Sequence, residues 1–308
     1  MKNCIITGGA GFVASHLIEK IKDKYDTIYL VDNLIRTNGF RNIQLLLNDK
    51  VKFVYGSIES FDFSQIKNVS VMYHLAATRI NRCAKFNEEG HSFIADGGFK
   101  IVDYCAKNKI KLFFASSASV YDSPKKFPIL ESDPCIPPTL YGSAKLYTEH
   151  LILNYDKMYG FNYAINRFFS VYGPRMDCEG VYTEVIFNWL NNIKNGNKNI
   201  TVYGNPDEKV LDLVFVKDVV NAIDITTNHN ENGIYNVSTE NGTTLTELIT
   251  CIEKVTNVNL NVQILPENRN DIEKKRVGST EKLRNVGWQQ NYSLENGIRE
   301  TYEWIAGL

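Results

Sequence analysis

The chain has 308 residues, 44% hydrophobic and 22% charged, with a formal net charge of −1 at pH 7. That length buries a sizeable core as one large domain or a domain with a smaller lobe. The near-zero charge supplies no basic face for nucleic acid and no polybasic patch for a membrane.

No apolar run approaches the ~20 residues that span a bilayer. The opening "MKNCIITGG" has too short an apolar stretch, ended too soon by glycine, to be a secretory signal. In chain order, "CIITG" is a β-branched apolar run stopping at glycine, as a buried strand does. In the following "GGAGFVASHLIEKI", Val13, Leu17 and Ile21 recur at helical spacing with Ala14 and Ile18 beside them, so a helix starts near Gly11. "TIYLVDN" then reads as a second buried strand ending in an acid, Asp32.

Strand, glycine turn, helix, strand and acid form a βαβ nucleotide-binding unit. Gly8 and Gly11 let the backbone turn sharply and approach a pyrophosphate, and the helix N-terminus offers N–H groups and a positive dipole end. Asp32 is placed to accept from the adenosine ribose hydroxyls and repels a 2′-phosphate, which favours NAD over NADP. A glycine-rich turn without a dinucleotide is the plainer alternative, and the three signals together argue against it.

These residues carry a resemblance. "TGGAGFVAS" resembles the G-x-x-G-x-x-G fingerprint of the extended short-chain dehydrogenase/reductases, the nucleotide-sugar epimerases and dehydratases, with Ala14 at the usual third glycine. The resemblance implies that Phe12, Val13, Asn33, Ser57, Ile58, Leu75, Ala76 and Ala77 also line the cofactor site.

Further buried-strand runs are "VKFVYG", "VMYHLAA" and "KLFFASS", with helical stretches between them such as "FKIVDYCAKNKI". The alternation predicts an α/β fold, a Rossmann-type doubly wound parallel sheet, with ligands beyond the carboxyl ends of the strands. "HLAA" and "SSASVY" fall at such ends. His74 reads as a packed strand residue, and the six scattered cysteines, lacking C-x-x-C or zinc spacing, read as reduced thiols of a cytoplasmic protein without a metal.

"LYGSAKL" places Tyr141 four residues before Lys145, one helical turn apart on one face. Alone, the pair reads as a solvated helix face. Aligned with the family on the "VY" of residues 120–121, however, the catalytic Ser/Thr falls at Ser117, and Tyr141 and Lys145 follow at the usual distance behind "CIPPT". The resemblance therefore implies Ser117, Tyr141 and Lys145 as catalytic residues. A free phenol, with a pKa near 10, is a poor base at neutral pH, and a neighbouring ammonium favours its phenolate. By the same resemblance Lys145 also binds the nicotinamide ribose, and Ser117 holds the reacting oxygen beside Tyr141.

Dehydratases and uronate decarboxylases of the family carry Asp or Glu next to the catalytic Ser. Here Ala118 and Ser119 stand there, which disfavours dehydration and leaves redox chemistry at one carbon, most often C4. The resemblance implies 4-epimerisation of a nucleoside-diphosphate sugar through a transient 4-keto sugar. The alternatives are a 4-dehydrogenase or 4-ketoreductase on the same residues, and a dinucleotide-binding scaffold without turnover. Departures from the family pattern are Ser57 for Asp, Ile94 for Asn, Ser170 for Asn and Leu211 for Arg. They point to an unusual nucleotide sugar or cofactor handling.

The resemblance divides the chain into a NAD-binding part, 1–170, and a mainly substrate-binding lobe, 171–308, some of whose segments return to the main sheet. Its implied substrate contacts are Arg79, Ser117, Ser119, Ser170, Arg175, Tyr182 and Arg269, with Thr183 and Glu184 as further sugar contacts. Val185, Phe187 and Trp189 read as helix core, as do Ile298, Tyr302 and Ile305 of the closing helix. A homodimer through the Tyr–Lys helix, as is typical of relatives, is expected.

Overall fold

The structure, a computed structural model, describes residues 2–35, 39–78, 80–121, 126–176, 185–266 and 275–308. Its first half alternates strand and helix: β1 (Asn3–Thr7), α1 (Phe12–Ile21), β2 (Thr27–Asp32), α2 (Gly39–Ile43), β3 (Val51–Tyr55) and β4 (Val69–His74). Helices α3 (Ile80–Lys85) and α4 (Asn87–Gly90) run through a π-helical turn, His91–Asp96, into α5 (Gly97–Lys107). Then come β5 (Lys111–Ser117), a 3-10 turn at Ala118–Val120, α6 (Leu140–Tyr159) and β6 (Tyr163–Phe168).

The remainder is β7 (Ser170–Tyr172), α7 (Val185–Lys194), β8 (Asn199–Tyr203), β9 (Val210–Phe215), α8 (Val216–Asn228) and β10 (Gly233–Val237). After these follow β11 (Gly242–Thr244), α9 (Leu245–Thr256), β12 (Asn261–Leu265), β13 (Lys275–Arg276), α10 (Glu281–Asn285) and α11 (Leu294–Ala306).

Seven parallel strands form the main sheet in the order β10-β6-β5-β4-β1-β2-β3. The chain order reverses between β1 and β4, which makes that gap the switch point where α/β sheets bind ligands. Both faces are covered, so β1 is buried at every residue and reads as a continuous apolar run. One core cluster gathers Ile6, Leu17, Ile18 and Val219 on one face, and a second gathers Ile5, Met72, Ile101 and Ile152 on the other. This is the Rossmann-type architecture expected from the alternation.

Strand β10 comes from the C-terminal half and completes the sheet. The smaller lobe consists of a sheet of β7, β9, β11 and β13, the pair β8–β12, and helices α7, α9 and α11 around a third core cluster. Phe187, Trp189, Ile298 and Ile305 are buried in that cluster, and Val185 and Tyr302 pack against it.

Element ends follow local chemistry. The "VMYHLAA" run leaves the sheet at His74, so Leu75–Ala77 form a loop. His74 is buried, its Nδ1 2.8 Å from Thr7 Oγ1, as a packed strand residue. Helix α5 stops at Lys107 because Lys109 adopts the left-handed φ of 54°, and α6 ends at Gly160 with φ 61°. Among the described residues no helix is long and apolar enough to cross a membrane, and Cys4, Cys83, Cys105, Cys135 and Cys251 are free thiols.

Candidate active site

Because the strands of the main sheet are parallel, their carboxyl ends share one edge. A cavity of about 560 Å³ lies along it, lined by Gly8, Asp32, Gly56, Leu75, Ser117 and Phe168 from the ends of β1 to β6.

At the β1–α1 turn Gly8 has φ +67°, and a Cβ there would come within 2.7 Å of the Ala76 backbone. Only glycine fits that crossing. Gly11 is the N-cap of α1 and brings no capping side chain, and the first turn, Phe12 to Ala14, lines the cavity. Asp32 is fixed by its backbone surroundings: Ala10 N–H donates to Oδ2 at 3.1 Å and Leu34 N–H to Oδ1 at 2.8 Å. Beside it, Asn33 Nδ2 donates to Ser57 Oγ at 3.1 Å, and Ser57 Oγ donates to Glu59 Oε2 at 2.6 Å. The serine that stands for the family's aspartate thus has a carboxylate behind it. Ile58, Leu75, Ala76 and Ala77 complete this half of the wall. An anion-attracting helix start at one point and a fixed carboxylate one strand away fit a dinucleotide with free ribose hydroxyls.

The other half is built by β5 and α6. Ser117 ends β5 and caps the 3-10 turn, its Oγ accepting from Ser119 N–H at 3.1 Å. Thr139 caps α6 by accepting from Gly142 N–H at 3.1 Å. A Cβ on Gly142 would lie 2.1 Å from the Ser119 carbonyl oxygen, so the helix start rests on the turn. The small residues after Tyr141 permit that approach, and Tyr141, Ser117 and Ser119 line the same cavity.

One turn along α6, Lys145 is 2% exposed and sits behind the wall. Its Nζ donates to the Ala115 carbonyl at 2.7 Å and lies 5.9 Å from the centre of the Tyr141 ring. Burial pulls its ammonium down from 10.5 to about 7, against smaller upward pushes from Cys83 and Glu149.

Beneath Lys145 lies a polar cluster that sequence reading missed. Glu149, buried one turn further along α6, accepts from Arg167 Nη2 at 2.6 Å, from Arg167 Nε at 3.0 Å and from Ser116 Oγ. Arg167 Nη1 donates to the Tyr121 hydroxyl at 2.8 Å, which donates to Asn236 Oδ1 at 2.7 Å. The signal was an arginine inside the strand run "YAINRF", because a buried charge needs a partner.

Ser170 also lines the cavity. Arg175 does not: its guanidinium is bound to α1, Nη2 on Glu19 at 2.7 Å and Nη1 on the Ser15 carbonyl at 3.2 Å. Arg79, Tyr182, Thr183, Glu184 and Arg269 lie outside the described residues. A further wall residue not anticipated is Arg276, whose Nη1 donates to Ser119 Oγ at 3.3 Å. It sits on a two-residue strand too short for a periodicity signal.

The model of the NAD dependent epimerase/dehydratase family matches residues 4–238. A Methanocaldococcus jannaschii protein described as a putative UDP-glucose 4-epimerase is 31% identical, over 98% of this chain and 97% of its own length. Among solved structures, the UDP-N-acetylglucosamine 4-epimerase of Methanobrevibacter ruminantium, in complex with UDP-N-acetylmuramic acid, superposes with a TM-score of 0.92 at 26% identity, covering 100% of this chain and 99% of that one. The Thermus thermophilus UDP-glucose 4-epimerase complex with NAD gives 0.87 at 26% identity, covering 99% of each chain.

Proposed function

The chain belongs to the NAD dependent epimerase/dehydratase family, and from that premise we propose that it interconverts C4 epimers of a nucleoside-diphosphate sugar, with uridine as the nucleoside, as in the relatives named above. The observation that carries this reading is the joining of two halves in one cavity: the Gly8–Ala14 turn with Asp32, and Ser117 with Tyr141.

In this reading Gly8, Gly11 and the first turn of α1 hold the cofactor's pyrophosphate, and Asp32 its adenosine ribose. NAD held there would supply reversible hydride transfer at the sugar carbinol. The chain's own residues manage the proton and the geometry. Tyr141 takes the hydroxyl proton as the carbinol becomes a ketone and returns it afterwards. Ser117, its Oγ already oriented by the Ser119 N–H, donates to the reacting oxygen. Lys145 in its protonated form supplies the positive charge that favours the phenolate, and burial limits that form by pulling the amine down to about 7. Ala118 and Ser119 offer no carboxyl group for dehydration, so the sugar carbon skeleton and its other hydroxyls are left intact.

The proposal extends to organisation. Residues 1–170 serve mainly the cofactor and 171–308 mainly the sugar. The chain pairs into a homodimer through α5 and α6, whose outer faces expose Phe99, Tyr147, Met158 and Tyr159. It works in the cytoplasm, in keeping with its free thiols.

The test is incubation of the purified protein with a panel of UDP-sugars, read by chromatography and NMR and by absorbance of reduced nicotinamide. Formation of the C4 epimer without net reduced cofactor is expected. Steady accumulation of reduced cofactor with a released 4-keto sugar replaces this reading with a dehydrogenase, and inertness across the panel overturns it.

A further inference from the structure

Arg276 brings a guanidinium to the wall that carries Ser117. Strand β13 runs parallel to β9 with Arg276 in register with Leu211, and both residues line the cavity. The Arg276 side chain reaches across to Ser119, its Nη1 donating to Oγ at 3.3 Å. Ser119 is itself tied to Ser117 through its N–H at 3.1 Å. Val210, Leu211, Ala118, Phe168 and Phe169 give the cavity an apolar lining beside the hydroxyls of Ser117, Ser119, Tyr141 and Ser170. A guanidinium in such a wall favours a ligand anion, since the low local dielectric strengthens the attraction and the planar fork matches a carboxylate with two parallel bonds.

The position within the cavity says which anion. Ser117 and Tyr141 fix where the reacting C4 oxygen must sit. In a pyranose the diphosphate hangs from C1, across the ring from C4. The substituent on C5 is bonded to the carbon next to the reacting one. Of the two ring neighbours of C4, C3 carries a hydroxyl in a simple hexose and C5 carries the exocyclic carbon that can be a carboxylate, so an anion beside the reacting carbon is read as the C5 group. We propose that Arg276 binds a carboxylate carried at C5 of the sugar, so that the preferred substrate is a nucleoside-diphosphate hexuronate rather than a neutral hexose. This rests on the C4-epimerase reading and adds the substrate class to it.

The test compares UDP-hexuronate with UDP-hexose, in 4-epimerisation and in calorimetric binding, using wild type, Arg276→Gln and Arg276→Lys, with UDP alone as the reference ligand. The expected result is a wild-type preference for the uronate in both measurements. Arg276→Gln should lose roughly 10- to 100-fold in kcat/KM on the uronate, chiefly through KM, and at least about tenfold more than on the hexose. Arg276→Lys, which keeps the charge but not the fork, should recover part of the loss. An equal loss on both substrates with weaker binding of UDP overturns the proposal and puts the guanidinium on the diphosphate. A wild-type preference for the hexose, or an unchanged Arg276→Gln, overturns it as well. Should no sugar be turned over, uronate binding that depends on Arg276 still upholds the carboxylate site while the epimerase reading falls.

Discussion

Gly142 and Ser119 approach so closely that a Cβ on the glycine would stand 2.1 Å from the serine's carbonyl oxygen. This contact seats the start of α6, which carries Tyr141, on the turn that follows Ser117, and both residues line the same cavity. Gly142→Ala must push the two apart, because backbone on both sides cannot yield as a flexible side chain does. A displacement of about 1 Å in a positioned group costs on the order of 100-fold in rate. The expected outcome is a fall of that size in kcat with NAD retained, measured by turnover and by chromatography of the nucleotide released on denaturation. Wild-type turnover would show that this contact does not set the geometry.

Tyr141→Phe removes the proton acceptor and leaves the ring. Turnover should fall by roughly 100- to 10,000-fold. Binding of NAD and of UDP-sugar, followed by calorimetry, should stay near wild type. A variant that still epimerises at the native rate takes Tyr141 out of the mechanism.

How much of this was legible in the sequence differs between the two halves of the site. The cofactor half is local: strand, turn, helix and acid lie between Asn3 and Asp32, and each has its own signature in residue type and spacing. The fold followed for the same reason, since buried parallel strands read as apolar runs. Ser117, Tyr141 and Lys145 were found by resemblance, because the offset of 24 positions from Ser117 to Tyr141 gives no spacing rule by itself. Arg276 and the Glu149–Arg167 pair escaped notice because their partners are distant in the chain and only tertiary packing joins them. Arg175 shows the converse: the resemblance implied a substrate contact, but an α1 carboxylate, Glu19, holds the guanidinium at 2.7 Å.

The Glu149–Arg167 pair gives a stability prediction. Both side chains are buried, and Arg167→Met leaves the Glu149 carboxylate without its main partner. Breaking a buried pair on one side costs about 3–5 kcal/mol, whereas replacing both members with apolar residues of similar volume is often close to neutral. Urea unfolding should show the single variant destabilised by that amount and the Arg167→Met/Glu149→Met double variant recovering much of it. A double variant no better than the single one would mean that the pair is needed for more than mutual neutralisation, with Ser116 and Tyr121 the next partners to test.

Lys145 links the site to pH. Its amine titrates at about 7 in the folded protein and at 10.5 in its unperturbed state, with burial as the main cause. Between those values the unfolded chain holds a proton that the folded chain has given up, so stability from this group rises with pH from about 7 to 10.5 and is lowest below 7. The full difference is on the order of 3–5 kcal/mol. Lys145→Met removes the titration while keeping a chain of similar length in the same slot. The stability gap between variant and wild type should therefore be widest near pH 6.5 and shrink steadily toward pH 9.5, since titrations elsewhere in the protein are common to both and cancel in the difference. Unfolding curves at five or six pH values measure it directly. A gap that stays constant across this range would mean that the buried amine keeps its proton, in which case Lys145 acts on Tyr141 as a permanent charge.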